Sequence, residues 1–476
     1  MSAIGAQRKQ VTLPTDFRSP FENGHSRYGH PTARFAPFRP SADASMVDPG
    51  RLEAGGVQSS VECLLRSGDK SIGGITVNRV SRRAVLAGGL AASAASFDGI
   101  VPLLAANQAE QALKDVASAR GIRYGSTAMA SQLLAGDSFT DLLLREVAAL
   151  VPENEMKWLH MSSMPFQSDY RVADCLVEFA AAHGLLLRGH NLLWYWSTPK
   201  WFRELADRKT ARTAMLRRVT DMVTRYHGRI DSWDVVNEPV DGAGDRTDHL
   251  RADVFLKQIG PEYLSLAHMA ARAADQDARL VLNECGVEYD TPDMDRKRAA
   301  VLELLENLRK RDVPVDALGI QAHLSARRYP FSEQKLRNYL KRAAAMGLEI
   351  QITELDCTDE LAPADISERD RIVADEYRRF LDVVLDEPAV KIVMTWGLSD
   401  RYSWIVRHEN NPEQRRRDGM EERPLPFDRD LQRKPAWYAL AEAFTRAPTR
   451  ERVSTREHSP AAEKFSSKRP DWIFAR

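Results

Sequence analysis

Two glutamates stand out by what surrounds them. The stretch "WDVVNEP", Trp233 to Pro239, sets Asn237 and Glu238 at the tip of an apolar strand pattern. Pro239 lacks a backbone N–H, cannot continue a ladder, and so ends that strand. The stretch "ITELD", Ile352 to Asp356, sets Glu354 at the tip of another. Two facing carboxylates suit hydrolysis of a glycosidic bond: one protonates the leaving oxygen, and the other attacks the anomeric carbon or activates water. A lone glutamate in such a place is more often a rim salt bridge. A pair flanked by Asn, His and Trp points to catalysis instead.

The neighbours fit that chemistry. Asn237 can hydrogen-bond the sugar 2-hydroxyl, a contact that strengthens in the transition state. His323, in "GIQAHLS", can hold Glu354 and help keep it ionised. Asp356 lies two residues beyond Glu354, hence on the same strand face, and can complete that network. Trp194, Trp396 and Trp404 offer flat apolar platforms for sugar rings, although tryptophan also serves ordinary packing.

Elements must bring these residues together. From about residue 120, eight short β-rich runs alternate with amphipathic helical patterns: 122–128, 150–158, 185–195, 230–239, 279–288, 317–325, 349–356 and 390–400. "SEQKLRNYLKRAAAMG" shows a typical helix, with Ser332 as N-cap, an apolar stripe of Leu336, Leu340 and Ala343, and Gly347 at its end. Parallel strands need helical crossovers, and eight such units predict a closed (β/α)8 TIM barrel. A doubly wound open sheet is disfavoured, because no GxGxxG or Walker loop follows any strand. Polar residues gather at the C-terminal strand ends: Glu153, Asn154 and Lys157; His190; Asn237 and Glu238; Gln321 and His323; Glu354 and Asp356; Trp396 and Asp400. In a barrel these ends share one face, where sites are built.

The segments "PENEMKW", "GHNLLWYWSTPKWF", "WDVVNEP", "GIQAHLS", "ITELD" and "WGLSDRYSW" follow one another in an order that resembles the family 10 glycoside hydrolases, the retaining endo-β-1,4-xylanases. The resemblance spans about residues 120 to 447. It implies that Glu238 is the acid/base and Glu354 the nucleophile, supported by Asn237, His323 and Asp356. It further implies that Glu153, Asn154, Lys157, His190, Trp194, Gln321, Trp396 and Trp404 line the sugar sites, with no cofactor and no metal. The expected activity is cleavage of xylan or xylo-oligosaccharides with retention. The same barrel acting on another β-1,4- or mixed-linkage glucan, or a carbohydrate-binding barrel with little turnover, are the alternatives. Two departures bear on substrate choice. Tyr195, Trp196 and Ser197 follow Trp194 where the family usually has His, a small polar residue and Gln, which is expected to narrow or re-aim the distal sugar site. Asn283, Glu284, Cys285 and Gly286 stand where the family has Asn-Asp-Tyr-Asn, which removes a ring from the leaving-group side.

The rest of the chain is plainer. Lys plus Arg and Asp plus Glu each number 67, so there is no net charge to draw nucleic acid. Cys63, Cys175, Cys285 and Cys357 lack metal-site spacing and read as buried free thiols. Residues 1–75 read as a disordered or mis-assigned extension. Residues 76–106 contain Arg82 and Arg83 before an apolar run of small residues, the layout of a twin-arginine export signal. The expected domains are then a barrel over 107–447 and a polar tail over 448–476. The expected partners are the xylan substrate and the twin-arginine export machinery. The mature protein is expected to be monomeric, free of the membrane, and periplasmic or extracellular.

Overall fold

The computed structural model describes residues 111–133, 136–407 and 416–451. The extension, the twin-arginine-like segment, Cys63 and most of the tail lie outside them. Ten strands form: β1 Arg123–Ala128, β2 Ala149–Pro152, β3 Leu186–Gly189, β4 Leu193–Trp194, β5 Ser232–Asn237, β6 Arg279–Glu284, β7 Ala317–Ile320, β8 His323–Ser325, β9 Glu349–Thr358 and β10 Val390–Thr395. Eight of them close into a parallel ring in the order β1-β2-β3-β5-β6-β7-β9-β10, and β10 pairs back onto β1 from Arg123↔Ile392 to Ser126↔Thr395. After each ring strand a helix returns the chain: Ser138–Glu146, Arg171–Ala182, Arg208–Arg225, Tyr263–Ala274, Pro292–Lys310, Glu333–Ala345, Ile366–Val384 and Pro435–Arg446. This is a (β/α)8 barrel.

Local chemistry explains where the helices begin. Asp137, Asp207, Thr291, Ser332 and Asp365 each sit at an N-cap and accept a backbone N–H from the first turn. Gly347 follows the Glu333–Ala345 helix with φ 76°, the left-handed conformation that glycine adopts without a Cβ clash. The helix Leu113–Ser118 and the last helix, Pro435–Arg446, are joined through Glu146, which is fully buried. Its Oε2 accepts from the Leu113 backbone N–H at 3.0 Å and from the Trp437 indole at 3.1 Å.

Strand alternation sorts the core into two layers. Ala149, Val151, Ile392, Met394 and Trp396 pack together as one cluster, and their neighbours Leu150 and Val393 pack into the large second cluster with the helices. The first cluster shares the barrel interior with a buried polar network. Arg188 donates to Asp234 Oδ1 at 2.6 Å and to Gln351 Oε1 at 2.9 Å, with no exposure at either charged side chain. Truncating one partner of such a pair leaves the other charge uncompensated. Asp234→Ala is therefore expected to cost about 3–5 kcal/mol of stability, read as a lower urea midpoint with unchanged slope.

Most expected strands are shorter than their apolar patterns: 230–239, 279–288 and 390–400 pair only as Ser232–Asn237, Arg279–Glu284 and Val390–Thr395, and three others change more. The 150–158 run pairs only over Ala149–Pro152, and Asn154 to Lys157 make the turn into a short helix, Trp158–Met161. The 185–195 and 317–325 runs each break in two, into β3 and β4 and into β7 and β8. Ala322, inside the second break, has φ 61° and donates its N–H to buried Glu288 at 3.1 Å. The breaks lie at the mouth, where side chains leave the ladder and converge. Of the cysteines, Cys357 is a buried free thiol as expected, while Cys175 and Cys285 are only partly buried.

Candidate active site

β5 delivers the first glutamate. Asn237, its last residue, is in register with Trp194 of β4 on one side and with Asn283 of β6 on the other. Glu238 then leaves the ladder with φ 57°, a conformation that costs a non-glycine residue about 1–3 kcal/mol. Two hydrogen bonds hold it there. Its N–H donates to the Asn283 carbonyl at 2.8 Å, and its own carbonyl accepts from Arg251 Nε at 2.9 Å. The side chain is turned into the mouth, where Oε1 accepts from Gln321 Nε2 at 3.0 Å and Asn237 Nδ2 at 3.3 Å.

β9 delivers the second. Glu354 is buried, and its N–H donates to the Gln321 carbonyl at 2.9 Å. Its Oε1 accepts from Asn283 Nδ2 at 2.8 Å, and its Oε2 faces His323 Nε2 at 3.3 Å. His323 Nδ1 faces Asp356 Oδ1 at 2.8 Å, and Asp356 Oδ2 accepts from the Trp404 indole at 2.6 Å. Both ring nitrogens of His323 thus meet carboxylates, so both donate. Burial disfavours that cation, but the charge of Asp356, its hydrogen bond and those of Glu354 raise His323 well above its ordinary range. Burial likewise pushes the Glu354 carboxyl up, yet His190, His323 and Asn283 together overcome it and bring the group down to about 2. Glu354 is therefore held as a carboxylate.

The expected residues all gather at this mouth, though not always in the expected part. Gln321, expected to line a sugar site, touches the Glu238 carboxylate directly. His190 lies 4.0 Å from Glu354 Oε1 and is fixed through its Nδ1 on Asp234 at 2.9 Å. The Lys157 ammonium lies over the rings of Trp194 and Trp396, at 5.1 and 5.8 Å, and donates to Asn154 Oδ1 at 3.1 Å. Burial lowers its pKa against the pull of Glu153, Glu354, Glu155 and Glu238. Glu153 is buried against Arg407 at 2.5 Å, a partner from the β10 side that the sequence patterns did not single out. Trp396 is only 6% exposed and belongs to the barrel interior, whereas Trp194 and Trp404 remain half-buried. The buried Trp194 indole N–H has no hydrogen-bond partner among the described residues.

Asn283 is the residue that strand-end reasoning passed over. Its Nδ2 donates to Asn237 Oδ1 at 2.7 Å as well as to Glu354, and its Oδ1 accepts from Thr353 at 2.7 Å. It ties the two halves of the mouth together. The signal was present, since Asn283 is polar and lies near the end of a strand pattern, but its pairing depends on which strands are neighbours. Space for it comes from Gly319, where any Cβ would overlap Asn283 Oδ1. Gly319→Ala is expected to displace Asn283, lowering kcat while costing about 1–3 kcal/mol, measured by steady-state kinetics beside thermal unfolding.

The model of glycosyl hydrolase family 10 matches residues 112–443. The chain belongs to that family. It is 31% identical to endo-1,4-beta-xylanase B of Thermotoga neapolitana over 310 residues, covering 64% of this chain and 83% of the relative. It is 32% identical to endo-1,4-beta-xylanase 1 of Humicola insolens over 349 residues, 72% of this chain and 76% of the relative. Among solved structures, xylanase 10B from Thermotoga petrophila RKU-1 in complex with xylobiose superposes with a TM-score of 0.63 at 29% identity, covering 70% of this chain and 97% of that one. Where the chain departs from the family pattern, Tyr195 meets Trp194 edge-on at 6.4 Å. Its ring lies 4.7 Å from the Arg251 guanidinium, beside Glu238, and Trp196 packs on it at 5.5 Å.

Proposed function

We propose that this family 10 member is an exported, retaining endo-β-1,4-xylanase acting by double displacement. Glu354 attacks the anomeric carbon while Glu238 protonates the leaving oxygen. Glu238 then takes a proton from the water that releases the sugar from Glu354. Asn237 contacts the sugar 2-hydroxyl, and Lys157, Asn154, Glu153, His190 and Trp194 receive the sugar that stays bound. The observation that supports this most is the network of His323, His190 and Asn283, which keeps a deeply buried Glu354 ionised opposite Glu238. The Trp194 indole N–H, unpaired among the described residues and beside Lys157, supports a sugar hydroxyl as its partner. Relatives named as endo-1,4-beta-xylanases, and the Thermotoga petrophila structure with xylobiose, support xylan as the polymer. The test is turnover by the full chain on xylan, cellulose and mixed-linkage glucan. Activity confined to glucans rules out the xylan reading, and binding without turnover rules out the enzyme.

The pH profile offers a separate check. A carboxyl held near 2 contributes stability and reactivity above its ordinary value of 4.5, and both are lost as pH falls toward 2. His323→Ala removes a cation and a hydrogen bond, so the Glu354 carboxyl rises. The acid limb of kcat/KM is then expected to move to higher pH, with its alkaline limb little changed.

Arg82, Arg83 and the apolar run after them support export through the twin-arginine route. Replacing both arginines by lysine is expected to leave the full chain in the cytoplasm of an export-competent host. Continued export of that variant excludes the route.

A further inference from the structure

Trp194 ends β4, and Tyr195 opens the short 3-10 turn Tyr195–Ser197 near Glu238 and Cys285. Trp194 pairs with Asn237 across β4 and β5, so Tyr195 and Glu238 leave that ladder side by side. Trp194 faces Lys157 at 5.1 Å, on the side that holds the bound sugar. Tyr195 meets a different cation. Its ring is stacked by Arg251 at 4.7 Å, and Arg251 is itself anchored on the Glu238 and Val240 carbonyls at 2.9 and 3.2 Å. The acid protonates the oxygen that departs, so whatever lies beyond Glu238 meets the departing sugar. The end of β6, also on this side, brings Cys285 and Gly286 and no ring. Tyr195 is half-buried, held by a cation that is itself fixed to the backbone.

We propose that Tyr195 is the platform for the leaving-group sugar, a pyranose ring stacked on its phenol. This rests on the double-displacement reading above. Burial, and then the charge of Glu238, keep the phenol protonated, so its O–H remains available to a sugar oxygen. The same surface receives an acceptor sugar when the covalent intermediate is intercepted. In that step the ester bond between the anomeric carbon and Glu354 breaks. A bond to the acceptor's 4-hydroxyl oxygen forms, and the hydroxyl proton passes to Glu238.

The experiment supplies 2,4-dinitrophenyl β-xylobioside as donor and xylobiose as acceptor to the full chain. It reads the ratio of transfer product to hydrolysis product. Hydrolysis of the intermediate needs only water, whereas transfer needs the acceptor's platform. Tyr195→Ala is expected to lower the ratio about tenfold, and Tyr195→Phe, which keeps the ring, to stay within about twofold of the wild type. A purely structural role slows both limbs together and leaves the ratio unmoved, which overturns the proposal. So does a wild type that hydrolyses the donor but never transfers to xylobiose. A wild type inert toward the donor overturns the xylanase reading and this inference with it.

Discussion

Glu354→Ala is expected to lose on the order of 10⁴-fold or more in kcat on xylan, about 5.5 kcal/mol of transition-state stabilisation or above. In the proposed double displacement the variant lacks the atom that would form the covalent bond, and no other carboxylate takes its place. Glu238 points into the mouth from β5, held by Gln321 and Asn237, and Asp356 is committed to His323 and Trp404. The decisive measurement is rescue by azide with an activated aryl xylobioside. A small anion can occupy the space left by the carboxylate and attack from the same face. That single displacement inverts the anomeric carbon, so the product is an α-glycosyl azide. Full activity in Glu354→Ala, or a β-azide product, contradicts the nucleophile assignment.

Glu238→Ala should behave differently, and the difference separates the two glutamates. Removing the general acid is expected to cost about 10²–10⁴-fold on xylan, whose leaving group needs the proton. With a dinitrophenyl leaving group the first step needs little help, so formation of the glycosyl-enzyme survives. Its hydrolysis slows, because Glu238 no longer takes the proton from water. A burst of dinitrophenol followed by a slow steady rate is the expected trace. Azide now replaces water in the second step and approaches from the face opposite Glu354. Two inversions give a β-glycosyl azide. An equal loss on xylan and on the activated substrate, without a burst, contradicts the acid/base role.

Several parts of this site were legible in the chain before folding was considered. Pro239 marked the strand end that carries Glu238, and the two-residue spacing of Glu354 and Asp356 placed both on one strand face. Those are local rules, and β9 runs from Glu349 to Thr358 through both acids, with its register on β10 shifting between Ile352 and Leu355. The (β/α)8 closure was legible too, because eight alternating patterns admit few other parallel arrangements. Where the local reading was less good, the chain leaves its ladder. Apolar periodicity joined β3 to β4 and β7 to β8, because it records which residues are buried and not whether the backbone between them still pairs. Past Trp194 the chain turns into the 3-10 segment Tyr195–Ser197, where strand alternation no longer says where the Tyr195 ring lies.

By itself, then, the amino-acid order determined the two candidate glutamates, the strands that bear them and the ring those strands close into. These depend on residue type and on spacings of a few positions. The tertiary structure alone decided which of these groups touch. That Asn283 bridges Glu354 and Asn237, that Gln321 holds Glu238, and that His323 lies between Glu354 and Asp356 are contacts between different strands. Such contacts are fixed by ring order and register, and residues more than thirty positions apart carry no mark of their partners in the chain. The ionisation of Glu354 follows from those contacts, since burial and neighbouring charge exist only once the barrel has closed.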